Sequence, residues 1–180
     1  MRMKRFAHFA ALVCMPAALC CIGSCSRPPK IVSELAHFDL NSLDGVLTES
    51  NVSVDSAVSS DGTASLKITA SEPMTVRLFE LGDVDVSNAK IVYRAMLRSR
   101  RLSGRAYLEM WVHFKDGGEY YSRGLDRPVS GTTKWVTEEI MFILEKGQNP
   151  DNVKLNLVIE GKGTVWIDDI TILKGPPVTE

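Results

Sequence analysis

From about residue 35 onward the chain alternates apolar and polar positions in short runs, and no stretch repeats apolar residues convincingly at helical spacing. Turn signals divide the runs: Asp44-Gly45, Asp61-Gly62, Gly82-Asp83, Ser103-Gly104, Asp116-Gly117-Gly118, Ser130-Gly131, Gly147-Gln148-Asn149-Pro150 and Gly161-Lys162-Gly163. Between them the pattern predicts strands near 35–40, 52–58, 64–70, 74–81, 89–98, 105–115, 119–124, 134–144, 153–160 and 164–173. About ten strands without a fixed repeat predict an all-β fold, two sheets packed face to face. Parity assigns the faces, because successive strand residues point to opposite sides. Val153, Leu155, Leu157 and Ile159 share an inward row, as do Ile91, Tyr93, Ala95 and Leu97. In 107–114, Leu108, Met110, Val112 and Phe114 point inward, which leaves Tyr107, Glu109, Trp111 and His113 as an outward row rich in rings and hydrogen-bonding groups.

Composition narrows the class without changing this picture. The chain has 180 residues, 44% hydrophobic and 24% charged, which fits one globular domain and excludes collagen-like, coiled-coil and wholly disordered chains. Three of the 21 cations (Arg2, Lys4, Arg5) lie in the first 24 residues, which hold no acid, so the remainder carries 18 cations against 22 acids, a balance of −4. A mildly acidic body argues against nucleic acid as a partner. The basic start is followed by a mostly apolar run, Phe6 to Ile22, interrupted by His8 and Pro16, the shape of an export signal. Ser26 to Glu34, with Arg27-Pro28-Pro29-Lys30, reads as a tether, since the two prolines neither extend a helix nor donate to a sheet.

Ile22-Gly23-Ser24-Cys25 resembles the lipobox of bacterial lipoproteins. The resemblance implies a diacylglyceryl group on the Cys25 thiol, cleavage before it and acylation, palmitate-like, of the new amine. Several acyl chains on one residue hold a protein stably on a membrane. Ser26 in the following position implies, by likeness to enterobacterial lipoproteins, the outer membrane, so the expected location is the cell envelope. The expected layout is a signal peptide over 1–24, lipidated Cys25 and linker over 25–34, and the sandwich over 35–175. All four cysteines (14, 20, 21 and 25) lie at or before the expected cut, so the folded part depends on its core and not on disulfides.

Residues 38 to 173 resemble the jelly-roll carbohydrate-binding modules of the galactose-binding-like superfamily, nearest to those appended to bacterial glycanases. Phe38-Asp39, the run Ser60-Asp61-Gly62-Thr63-Ala64-Ser65-Leu66-Lys67-Ile68 and the closing Gly163-Thr164-Val165-Trp166-Ile167-Asp168-Asp169-Ile170-Thr171-Ile172 carry the likeness. It implies a jelly-roll β-sandwich and a structural Ca2+ held by Asp39 with Asp168 or Asp169; the early acid in the family is usually Glu, one methylene longer.

Saccharide binding needs a flat ring against the apolar face of the sugar and planar polar groups for its hydroxyls. Trp111 supplies the ring, and Tyr107, Glu109, His113, Arg94, Arg98, Asn156 and Glu160 the polar set from neighbouring strands, so a poly- or oligosaccharide is the expected partner. Trp135 and Trp166 read as packing residues, and parity leaves at most one ring of Tyr120-Tyr121 available. Arg98, Arg100, Arg101 and Arg105 surround Ser103-Gly104, where guanidinium groups suit sulfate, carboxylate or phosphate. Catalysis is not expected: beyond the signal only His37 and His113 remain, no nucleophile–base motif is present, and Glu109 with Glu160 is the sole candidate carboxylate pair. The alternative is a structural or assembly lipoprotein whose sandwich binds an envelope protein.

Overall fold

The computed structural model describes residues 33–177; the expected signal and lipobox lie outside them, as does the expected tether over 26–34 except for Ser33 and Glu34, which open the first strand. Nine strands follow in chain order: β1 Ser33–Phe38, β2 Val52–Asp55, β3 Ser65–Ala70, β4 Met74–Leu81, β5 Ala89–Phe114, β6 Gly118–Arg123, β7 Val129–Gly131, β8 Val136–Leu144 and β9 Asn152–Gly175. No helix occurs among the described residues. Two strands are far longer than the pattern predicts: β5 has 26 residues and β9 has 24. Ser103-Gly104 and Gly161-Lys162-Gly163 were expected to be turns between separate strands; the chain bends there and the strands continue.

The long strands pair antiparallel along almost their whole lengths, from Lys90↔Gly175 to His113↔Asn152. Three short strands line the outer edge of each. Along β5 run β8, β7 and β6, and along β9 run β4, β3 and β1, with β2 beyond β3. The ribbon folds over at its middle, giving two layers. The first contains β2, β3, β1, the second half of β9, the first half of β5, and β8. The second contains β4, the first half of β9, the second half of β5, and β6 with β7. The result is an all-β sandwich of jelly-roll type.

The bend has a local cause. Arg100 pairs with Thr164 and Ser103 with Lys162, so β5 carries one residue more than β9 between those pairs. Such a bulge sharpens the local twist and turns the strand. Arg101 and Gly104 accordingly take positive φ, 51° and 95°. The two backbones cross so closely that a Cβ on Gly104 would collide with the Glu160 carbonyl, and one on Gly161 with that of Ser103. Only glycine fits at both crossings.

One continuous core lies between the layers. Leu66, Ile68, Ile91, Tyr93, Leu97 and Ile167 from the first layer join Leu78, Leu108, Met110, Val112, Leu155 and Leu157 from the second. Each is removed from water, worth about 1.5–3 kcal/mol per large side chain. The inward rows read from parity over 91–97, 108–114 and 153–159 are buried as expected.

Parity fails at the closing motif, where Met96↔Asp168 follows Arg94↔Thr171, so β9 bulges at Asp169, whose φ is 48°. The bulge returns Ile170 to the core and leaves Asp168 fully buried beneath the loop of residues 56–64. There its Oδ2 accepts hydrogen bonds from Ser60 N (2.7 Å) and Ser60 Oγ (2.8 Å).

Candidate functional site

The hairpin that joins β5 to β6 sets the register of the outer face of the second layer. Phe114 pairs with Gly118, so His113, Trp111 and Glu109 stand opposite Glu119, Tyr121 and Arg123. On the other side of β5, Trp111, Glu109, Tyr107 and Arg105 stand opposite Lys154, Asn156, Val158 and Glu160 of β9. Neighbours directly opposite across a sheet share a face, which places these side chains together.

Glu109 is the centre of the arrangement. Although it faces outward it is only 4% exposed. Its Oε1 accepts hydrogen bonds from Trp111 Nε1 (2.8 Å) and Asn156 Nδ2 (3.0 Å), and its Oε2 from Arg123 Nε (2.6 Å). Burial works to raise its pKa; the donors of Trp111, Asn156 and Arg123, with the arginine's charge, outweigh burial and hold it below the usual glutamate value. A carboxylate with so many donors is strongly fixed as an anion.

The rings are positioned by this network. With its Nε1 tied to Glu109, Trp111 lies half-buried beside Tyr121, centroids 5.0 Å apart at 49°. Tyr121 is 54% exposed, and the Arg123 guanidinium sits 4.4 Å from its ring centroid. A tryptophan and a tyrosine edge the same patch, with polar groups around them. At one end Tyr107 donates its hydroxyl to Glu160 Oε1 (2.8 Å) and Arg105 Nε donates to Glu160 Oε2 (2.6 Å). Those donors, Arg105 first and Tyr107 second, lower the Glu160 pKa. At the other end His113 Nδ1 lies 2.6 Å from Asp151 Oδ1, and Lys154 Nζ donates to Glu119 Oε1 (2.6 Å).

The structure therefore gathers Trp111, His113, Tyr107, Glu109 and Asn156 on one face, with Trp111 and His113 partly open to solvent and Tyr107, Glu109 and Asn156 buried. Arg94 is not with them. It lies on the first half of β5, before the bend, on the outer face of the other layer, paired with Glu139 through Nε (2.9 Å) and Nη2 (2.7 Å) to Oε2. Arg98 is on that layer as well. Reading 89–98 and 105–115 as adjacent strands of one sheet put them together; a single bent strand separates them. Tyr121 and Arg123 complete the patch, and the Asp116-Gly117 turn is the sequence signal that fixes their register. Tyr120 points to the opposite side, edge-on to Phe114 (6.0 Å), yet is as exposed as Tyr121, so both rings are open to solvent.

Of the three aspartates expected to hold Ca2+, Asp168 is turned away from the other two. Asp168 is committed to Ser60, while Asp169 Oδ1 is 2.8 Å and Asp39 Oδ1 3.5 Å from His37 Nε2 on the exposed side. Among the described residues no three His, Cys, Asp or Glu side chains are grouped to hold a metal ion. The arrangement does not fit an ion shared by Asp39 and Asp168. The β9 bulge is the reason, since it turns neighbouring aspartates to different surroundings.

Comparison of the sequence with protein-family models gives no match, and comparison with curated proteins gives none. Solved structures do match. The CBM22-1 xylan-binding domain of Paenibacillus barcinonensis Xyn10C superposes at a TM-score of 0.57 with 17% identity, over 84% of this chain and 100% of that one. The tandem CBM22-1–CBM22-2 domains of the same enzyme give 0.60 at 16% identity, over 86% of this chain and 49% of the tandem. The CBM22-1–GH10 modules of Clostridium thermocellum Xyn10B, complexed with xylohexaose, give 0.57 at 12% identity, over 78% of this chain and 28% of that one. What the chain shares with them at these identities is the fold, the jelly-roll β-sandwich of carbohydrate-binding modules.

Proposed function

We propose that this domain is a non-catalytic binding protein, held to the cell envelope by acyl chains on Cys25, that takes a polysaccharide on the outer face of its second layer. The observation that carries the reading is the pair Trp111 and Tyr121, set side by side with the paired Glu109 and Arg123 in the adjacent row of the same face. Rings with one apolar face toward solvent and hydrogen-bonding groups at their edges are what a sugar's apolar face and hydroxyls require. The likeness in fold to xylan-binding modules supports the class of ligand. Glycosidic cleavage needs one carboxyl held protonated as the acid. Glu109 and Glu160 are each gripped by an arginine and shifted the opposite way, which supports binding without cleavage.

Titration calorimetry of the purified protein against a panel of neutral oligosaccharides including xylohexaose tests the binding. Trp111→Ala is expected to weaken it by about tenfold or more; no affinity for any member of the panel, or equal affinity in the variant, removes the reading. The anchor is tested separately. Incorporation of labelled palmitate in cells should vanish in Cys25→Ser, and label that persists there rules out this attachment.

A further inference from the structure

We propose that the bend between the layers carries a second binding site, for an oxyanion borne on a saccharide: a sulfate ester or a uronate carboxylate. The choice of saccharide rests on the function proposed above; the anion site rests on observations of its own. Two cross-strand rows meet on the outer face of the first layer beside the bend, Lys67–Trp166–Arg98 and Thr69–Thr164–Arg100. The Arg98 and Arg100 guanidinium groups both lie over the Trp166 ring, 5.5 and 5.2 Å from its centroid. Trp166 is itself 2% exposed and anchored by donation from Nε1 to Asp55 Oδ2 (3.0 Å).

Elsewhere on the molecule Arg77, Arg94, Arg105 and Arg123 each pair with a glutamate. Arg98, Arg100 and Arg101 make no ion pair among the described residues. Asp55, beneath the ring, makes no ion pair with them; its carboxylate accepts from Trp166 Nε1 on one oxygen and from Ala57 N on the other. Two like charges brought over one ring repel, and an anion between them relieves that repulsion. Stacking on a fixed indole also orders both guanidinium groups before any ligand arrives.

The surrounding shape suits a compact polar group. Arg100 and Arg101 line a recess of about 480 Å³ together with Thr69, Ala70, Gly163 and Thr164. Arg101 is held at its positive φ of 51°, with its N–H donated to Thr132 Oγ1 (3.0 Å), so its backbone conformation is determined by the bend. The recess offers hydroxyls and glycine backbone but no large apolar side chain of the kind that enters a lipid surface. Past the bend the same strand leads on to Arg105 and Tyr107 at the edge of the sugar-facing patch, so a single chain reaching both would present its acidic group here.

Affinity electrophoresis of the intact protein in gels containing dextran sulfate or unmodified dextran tests the proposal. Retardation is expected in the sulfated gel alone, and Arg100→Gln and Arg101→Gln should each weaken it about tenfold. Arg100→Lys should weaken it as well, because the bidentate fork is lost while the charge stays. Circular dichroism melts identify any variant that fails to fold, and Arg101, which stacks on nothing, keeps the test open if Arg100 is needed for folding. Absence of retardation, or retardation unaffected by Arg100→Gln and Arg101→Gln, overturns the site. Binding to phosphatidylglycerol vesicles that is lost in those variants, without retardation by dextran sulfate, overturns the saccharide in favour of a membrane. Failure of the neutral-oligosaccharide titration with arginine-dependent retardation intact would remove the first function and leave this site standing.

Discussion

Glu109 joins three elements through one carboxylate: Trp111 on its own strand, Asn156 on β9 and Arg123 on β6. Replacing it by glutamine keeps the shape but leaves the Arg123 guanidinium unpaired and removes an acceptor from a buried site. At neutral pH Glu109→Gln should cost about 2 kcal/mol, toward the lower end for a broken charge pair because Arg123 is partly open to water. The sign of the pH dependence follows from the direction of the shift. Its folded pKa lies below the ordinary glutamate value, so its stabilisation is complete above that value and is lost as pH falls through the lowered one. Urea melts of wild type and variant should differ at neutral pH and converge in strong acid. A constant difference across that range would mean that Glu109 acts through packing alone. Parity in the sequence already set Tyr107, Glu109, Trp111 and His113 on one face, because alternation is a local property of one strand. That Glu109 would be buried, and by which donors, was not legible, since Arg123 and Asn156 come from strands whose register depends on the turn and on tertiary pairing.

Most element boundaries follow from turn chemistry, and β4 occupies the 74–81 read from alternation. The same chemistry misled at the bend. Ser103-Gly104 and Gly161-Lys162-Gly163 carry the residues of hairpin turns, yet glycine is equally what two backbones need where they cross. Local sequence does not distinguish the two uses; the pairing of β5 with β9 decides. Arg94 fell on the wrong surface for this reason alone. Gly161→Ala brings a methyl group against the Ser103 carbonyl and should cost roughly 3 kcal/mol or more, in the range of severe backbone and overpacking effects. Its thermal midpoint by circular dichroism is the measurement, and a melt within a degree or two of wild type would show that the crossing relaxes freely. Val129–Gly131 was missed as a strand because three residues are too short to show alternation.

At the scale of the whole molecule, the likeness drawn from residues 38 to 173 was sufficient for the fold, since the core pattern and the closing motif are distributed over the entire sandwich. The aspartates were a different matter: the bulge at Asp169 separates Asp168 from Asp169, and an inserted residue in a strand leaves no mark on composition. The bent pair β5 and β9 has a mechanical consequence. Both layers hang from the same two backbones, so neither can detach while the other stays intact, and the molecule has no hinge between its halves. Amides in Ile91–Leu97 and Leu108–Val112 should therefore exchange with deuterium only through complete opening, with free energies within about 1 kcal/mol of each other as denaturant is added. Separate exchange steps for the two segments would contradict this. Any ligand seated on one layer would then rigidify the opposite one as well, through the shared strands and without contact between them.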